Sequence, residues 1–404
     1  MQQVRQGRSL VGIEQSAAPE NGPEATRDRW LRTRKHLNSH RHELTSLALK
    51  DFDPSHFIPG TRLLARQHWV PEQPVPLEDV QLRWSTTETP AAIDGDAPEL
   101  DDIRPLHDDG SPYHRYAEAV GDLARPRLFE NRSCYRLQNV QANSETPALT
   151  FGRGSYFDVI NICEAAAHEF AAAHPDLDAG RPRRGTPFRR ALGDPTDLCR
   201  RPVMGAISTL AIRHDRRSGD AEFVLHWRDP DKVASGGNLY QVMPVGMFQP
   251  SHDAPWNEAN DFDLWRSLVR ELSEELLGST EDYGSSQHPI DYDAWEFNKS
   301  LQHARDQGTL RVYWLGLGMD PLTFVTDMLT VAVFDADLFD ETFQRLVTTN
   351  DEGHRVELED GTGQAAGIPF RADHVMRLTH DEPMQPAGAA LLHLAWKHRA
   401  TLLG

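Results

Sequence analysis

Residues 264–278 read LWRSLVRELSEELLG, with three glutamates, Glu271, Glu274 and Glu275, crowded into one short stretch. Set at about 100° per residue, Trp265, Leu268, Val269, Leu272 and Leu276 share one apolar helical face. Asn260 or Asp261 is expected to cap the start, and Gly278 to end it. The glutamates stand at i, i+3 and i+4 and project from one side, adjoining the apolar stripe. Like charges at this spacing repel by roughly 0.2–0.5 kcal/mol per pair. Two readings follow. One is a solvated acidic face, its repulsion partly offset by Arg266 and Arg270. The other is a face that holds a divalent cation, since hard cations prefer carboxylate oxygen. On spacing alone the plain acidic face is the simpler.

Around this helix the chain reads as strands and helices in alternation. VMGAISTLAIRH (203–214), AEFVLHW (221–227) and LYQVMPVG (239–246) precede it as strands. TLRVYWLGLG (309–318) and TFVTDMLTVAVF (323–334) follow as strands, and ADHVMRL (372–378) and AGAALLHLAWKHR (387–399) as helices. The order β-β-β-α-β-β-α predicts an α+β or mixed α/β domain over 202–404. Trp227, Tyr240 and Trp314 lie on these strands, where core packing is the simpler role and stacking on a base the alternative.

The chain has 404 residues, enough for two domains. Its composition, 39% hydrophobic and 25% charged, is that of a soluble globular protein, and no apolar run approaches a membrane span. Residues 1–26 are polar and lack an apolar signal core, so a disordered tail is expected there. Cys134, Cys163 and Cys199 are too few and too scattered for a disulfide framework, which fits the reducing cytoplasm. A net charge of −19 argues against a protein that coats nucleic acid.

Residues 27–180 read as a smaller N-terminal α+β domain. RDRWLRTRKHLNSHRHELTSLAL (27–49) is a helix whose basic face either lies on the acidic body or forms a nucleic-acid arm. Strands are expected at 80–84, 133–141 and 147–152, and a helix from Tyr156 to His174. On that helix Glu164 and His168, four apart, are spaced to share a metal, though no second ligand cluster accompanies them. Residues 181–201 carry Arg181, Arg183, Arg184, Arg189, Arg190, Arg200 and Arg201 and read as a basic linker, with a phosphate-facing loop as the alternative.

Arg270-Glu271-Leu272-Ser273-Glu274-Glu275 resembles the core of the Nudix box, G-x5-E-x7-R-E-U-x-E-E-x-G-U, where U is apolar. Gly246 in MPVGMF stands where the opening glycine belongs, and the flanking strands and closing helices are similar to the family's. The resemblance covers roughly residues 202–404, in a degenerate form of the box. Arg270 lies 24 positions after Gly246 rather than 14, so the loop carries ten extra residues. The middle glutamate falls on Phe262, between Asp261 and Asp263, and Gly278 comes one residue late.

The resemblance implies a Nudix-like α/β/α sandwich and a Mg²⁺- or Mn²⁺-dependent hydrolase of a nucleoside diphosphate linked to another group. Glu271, Glu274 and Glu275 would hold the metal with the carbonyl of Gly246, and Arg270 would orient the carboxylates. The general base is expected on a later loop, at Asp327, Asp335 or Asp337. The expected partner is a small nucleotide-diphosphate ligand, with no membrane and no nucleic acid. The N-terminal half would cap the cleft, select substrate or form a homodimer. The altered box leaves a second reading, a weakened domain that binds a nucleotide-like ligand as a sensor.

Overall fold

The computed structural model describes residues 22–87, 90–127, 129–142, 146–228, 238–343, 353–356, 358–359 and 365–404. The expected tail falls outside the described residues up to position 21. Its last residues, from Pro23, are already helical. The basic N-terminal segment folds as two helices, α1 (Pro23–Ser39) and α2 (Arg41–Ala48), because His40 leaves the helical backbone region between them. Trp30, Leu37 and Leu44 are buried, whereas Leu31 is exposed.

Strands β1 (Val75–Pro76) and β2 (Gln81–Trp84), helix α3 (Tyr116–Leu123), and strands β3 (Ser133–Gln141) and β4 (Ala148–Ser155) follow. Strands β2, β4 and β3 form a small sheet. Helix α4 (Tyr156–Val159), a π-turn at Ile160–Glu164 and helix α5 (Ala165–Ala173) run on as one rod. Ser155 and Asp158 cap it reciprocally.

The basic segment is built into the body. It contains helix α6 (Pro187–Leu192), whose Phe188 and Arg189 amides donate to Glu169 at 2.8 and 2.9 Å. Arg189 and Arg201 are buried, donating to the carbonyls of Pro321 and Phe324 at 2.7 Å each. Arginine is suited to this, since one planar fork satisfies several carbonyls.

The main sheet takes most of its strands from the second half. After β5 (Gly205–His214) come β6 (Ala221–Phe223), β7 (Leu225–Arg228), β8 (Tyr240–Val242) and β9 (Val245–Met247). Helices α7 (Pro255–Asn260), α8 (Leu264–Glu271) and α9 (Glu296–Asp306) precede β10 (Leu310–Met319) and β11 (Thr326–Asp335). Helix α10 (Ala336–Thr342), the short strands β12 (Gly353–Val356), β13 (Leu358–Glu359), β14 (Ala365–Ala366) and β15 (Ile368–Pro369), and helices α11 (Ala372–His380), α12 (Pro386–Lys397) and α13 (Arg399–Leu403) follow, with β12, β7 and β8 in a separate sheet and β13 paired to β14. The strand order is β1-β10-β11-β5, with β6 and β9 sharing the far edge of β5 and β15 beyond β6. Within this sheet, among the described residues, only β5 and β11 pair in parallel. Both are buried almost throughout, so helices and loops cover both faces, which is why they read as unbroken apolar runs. Helix α8 packs on β5 and β9, and α12 on β5, β10 and β11.

The protein is therefore α+β, with a mixed sheet enclosed by helices. One core joins the two halves: Leu63, Trp69, Leu137 and Phe151 pack in the same cluster as Leu210, Val331 and Leu391. Among the described residues no helix is long and apolar enough to cross a membrane.

Candidate functional site

Helix α8 starts at Asp263, whose side chain accepts from the Arg266 amide at 2.9 Å. Asp263 is the cap, in place of the expected Asn260 or Asp261. Three residues separate it from the amide it satisfies, the spacing a cap requires. Trp265, Leu268, Val269, Leu272 and Leu276 are all buried. The helix then widens into a π-turn, Leu272–Leu276, before Gly278 ends it with φ at +68°. A π-turn absorbs one surplus residue without breaking the rod.

Each glutamate of this turn meets a different neighbour. The Glu271 carboxylate fills the space where a Cβ on residue 246 would stand, so a side chain there would displace the carboxylate. Glu275 accepts from the Val245 amide at 3.1 Å, again on β9. Strand β9 is held against β5 by the pair Ile207–Gly246, which fixes this edge of the site. Glu274 accepts from the Tyr283 hydroxyl at 2.7 Å. Burial pushes the Glu274 carboxyl up to about 7; Glu281 adds to this, while Tyr283, Arg270 and Arg132 oppose it.

Arg270 reaches back into the loop that precedes the helix. It donates to Tyr292 Oη at 2.8 Å and to the Gln249 carbonyl at 2.7 Å, and lies 3.4 Å from Asp261. Burial alone would lower its pKa, but Tyr292 and Asp261 outweigh it and keep the guanidinium firmly charged. Asp261 is fully buried and also accepts from the Ser251 amide at 2.8 Å and from Tyr292 at 2.9 Å. Asp261 thus ties the loop to the helix.

A cavity of about 1090 Å³ opens in front of these residues. Gly246, Arg270, Glu271, Glu274, Glu275, Tyr283 and Asp327 line one side of it. Asp327, on β11, accepts from Ser208 Oγ on β5 at 2.7 Å. Of the three expected candidates for a base it alone lines the cavity; Asp335 and Asp337 pair with Arg216 and Arg217 at 2.8 and 2.7 Å. The N-terminal half supplies Arg125, Arg127, Arg132, Phe129, Tyr156 and Glu164. Trp227, Tyr240 and Trp314 are absent from the lining: Trp314 is buried and Trp227 packs edge-on against Tyr240. Phe129, Tyr156 and Tyr283 are the aromatics that line the cavity.

Glu164 and His168 do not form a shared site. Glu164 pairs with Arg41 at 2.8 Å and with Arg34 at 3.4 Å. His168 Nδ1 faces Tyr116 Oη at 2.9 Å, and burial pushes its pKa down to about 3.

Three carboxylates and the Gly246 backbone on one wall are the oxygen donors a hard cation takes. They do not converge as they stand: among the described residues no three histidine, cysteine, aspartate or glutamate side chains are grouped so as to hold an ion. The donor chemistry fits a divalent cation, while Tyr283 and Val245 occupy two of the carboxylates.

No family model matches the chain, and no curated protein matches it. Among solved structures, the crystal structure of a NUDIX hydrolase from Alicyclobacillus acidocaldarius is matched over 48% of this chain and 96% of its own, at 16% identity and a TM-score of 0.24.

Tyr283, Arg132 and Phe129 carried no signal in the sequence. Phe129 and Arg132 are far from the glutamate helix in the chain and reach the cavity only through folding, and Tyr283 lies five residues past Gly278.

Proposed function

We propose that the protein hydrolyses a nucleoside diphosphate linked to a second group, with Mg²⁺ or Mn²⁺ as cofactor. What carries the reading is that Glu271, Glu274, Glu275 and Gly246 share one cavity with Asp327 and with arginines and aromatics from the N-terminal half. Glu271, Glu274 and Glu275, with the Gly246 carbonyl, would hold the cation. When bound, the cation would neutralise diphosphate oxygens and lower the pKa of an attacking water. Asp327, fixed by Ser208, is the carboxylate we assign to accept a proton from water. Phe129 and Tyr156 offer apolar surface to the base or its linked group. Arg270 is assigned a positioning role, holding the inserted loop so that the glutamate helix keeps its place.

A second reading is a ligand-binding sensor without turnover. The engagement of Glu274 by Tyr283 and of Glu275 by the Val245 amide favours it, because cation binding must compete with both.

Incubation with nucleoside-diphosphate sugars, dinucleotides and nucleoside triphosphates, with and without Mg²⁺ or Mn²⁺, separates the two. Hydrolysis predicts metal-dependent products that vanish in Glu274→Gln and Glu275→Gln. Ligand-induced thermal stabilisation without products supports the sensor. Cation binding unchanged in both variants removes the site assignment.

A further inference from the structure

The ten-residue insertion before the glutamate helix has a structural product at the cavity wall. Its segment 249–253 is clamped from two directions. From the helix side, Asp261 accepts from the Ser251 amide and hydroxyl at 2.8 and 2.6 Å, while Arg270 takes the Gln249 carbonyl. From the N-terminal half, the Ser133 amide donates to Asp253 at 2.8 Å. Phe248 and Phe262 flank the insertion and stack against each other, and both meet Tyr135 and Phe151 of the small sheet.

This fixed segment presents two carbonyls to one guanidinium. Arg132 Nη2 donates to Ser251 O at 2.6 Å and to Pro250 O at 3.3 Å, while Nη1 reaches the exposed Glu281 only at 3.4 Å. Arg132 lines the cavity that holds the glutamates. A guanidinium carries five donors, and Nε of Arg132 has no protein acceptor among the described residues.

We propose that Arg132 is the specificity-determining cation of the cavity, delivered by the N-terminal half and aimed by the insertion, and that it receives the diphosphate oxygens of the ligand. A diphosphate entering a wall of carboxylates needs positive charge beyond a bound cation, and arginine meets phosphate oxygens with paired N–H donors. Arg125 and Arg127 line the same space and extend the positive side. The assignment rests on the diphosphate reading above.

The test is calorimetric binding of methylenebisphosphonate, a diphosphate that resists hydrolysis, to the full chain in Mg²⁺. Arg132→Gln is expected to weaken binding about tenfold or more, and Arg132→Lys, which keeps the charge, by a smaller factor. Adenosine, which lacks phosphate, is expected to bind wild type and Arg132→Gln alike, an outcome that general loss of structure would not give. Glu281→Gln, at a side chain 57% exposed, frees Arg132 from its competing carboxylate and is expected to tighten binding, so it serves even where Arg132→Gln fails to fold. Wild-type binding left unchanged by Arg132→Gln, or by Glu281→Gln, overturns the role of Arg132. No binding to the wild type in Mg²⁺ overturns the diphosphate reading and this role with it.

Discussion

Asp261 and Arg270, nine residues apart, form a buried ion pair at 3.4 Å that pins the inserted loop to the glutamate helix. Tyr292 joins them, accepting from Arg270 and donating to Asp261. Removing one member leaves a charge in the interior without its partner. Asp261→Ala is expected to lower unfolding free energy by about 3–5 kcal/mol. Asp261→Leu with Arg270→Met is expected to lie closer to wild type. Urea unfolding of the single and double variants checks both, and the pair is not a structural tie if the single variant is as stable as the parent.

Gly246 faces the Glu271 carboxylate with no room for a methyl group. Gly246→Ala therefore displaces the Glu271 carboxylate, the far end of a flexible side chain, at an expected cost of about 1 kcal/mol. Glu271→Ala in the same chain vacates that space. The double variant is expected to recover much of the loss, and a thermal-melting double-mutant cycle measures the coupling.

His168 is buried beside Tyr116 with its pKa pushed from 6.5 down to about 3. Burial disfavours its charged form, and Arg34 and Arg184 add to the effect. The unfolded chain therefore binds a proton below pH 6.5 that the folded chain refuses. Stability from this residue is complete above 6.5 and is lost as pH falls toward 3, with a slope of up to about 1.4 kcal/mol per pH unit. His168→Gln is expected to flatten that acid limb in a stability-versus-pH series. Glu169 and Asp320, whose pKa values burial raises, contribute with the opposite sign.

The edge of β10 is covered by the N-terminal half. Leu64 and Met319 exchange backbone hydrogen bonds at 2.9 and 2.8 Å, Val75 pairs with Trp314, and the carbonyl of Trp69 closes over Gly316. A chain of residues 202–404 bares this strand and the apolar side chains beneath it. It is expected to aggregate under conditions in which the full chain is soluble, as bare edges do, with sedimentation velocity as the check.

Period and composition made most of the second half legible. Strands β5, β10 and β11 and helices α11 and α12 fall where their apolar patterns place them. Glu271, Glu274, Glu275 and Gly246 do meet at one cavity. Local signals failed where contacts are long-range. Asp263 caps the helix because Asp261, two residues earlier, is consumed by Ser251, Tyr292 and Arg270. Seven arginines in 181–201 looked like a solvated stretch, yet burying Arg189 and Arg201 needs carbonyls more than 120 residues away. Nothing in a run of letters announces such partners. Nor does spacing on a regular helix show that the glutamates diverge, because a π-turn changes the angle between successive side chains.

That widened turn at Leu272–Leu276 also makes the helix tolerant of a change in length. The extra residue sits in a local blister, and Gly278 and Ser279 stay bonded to the carbonyls of Glu274 and Ser273. Gain or loss of one residue here would be taken up in the turn, leaving the buried rod before it in register with the sheet.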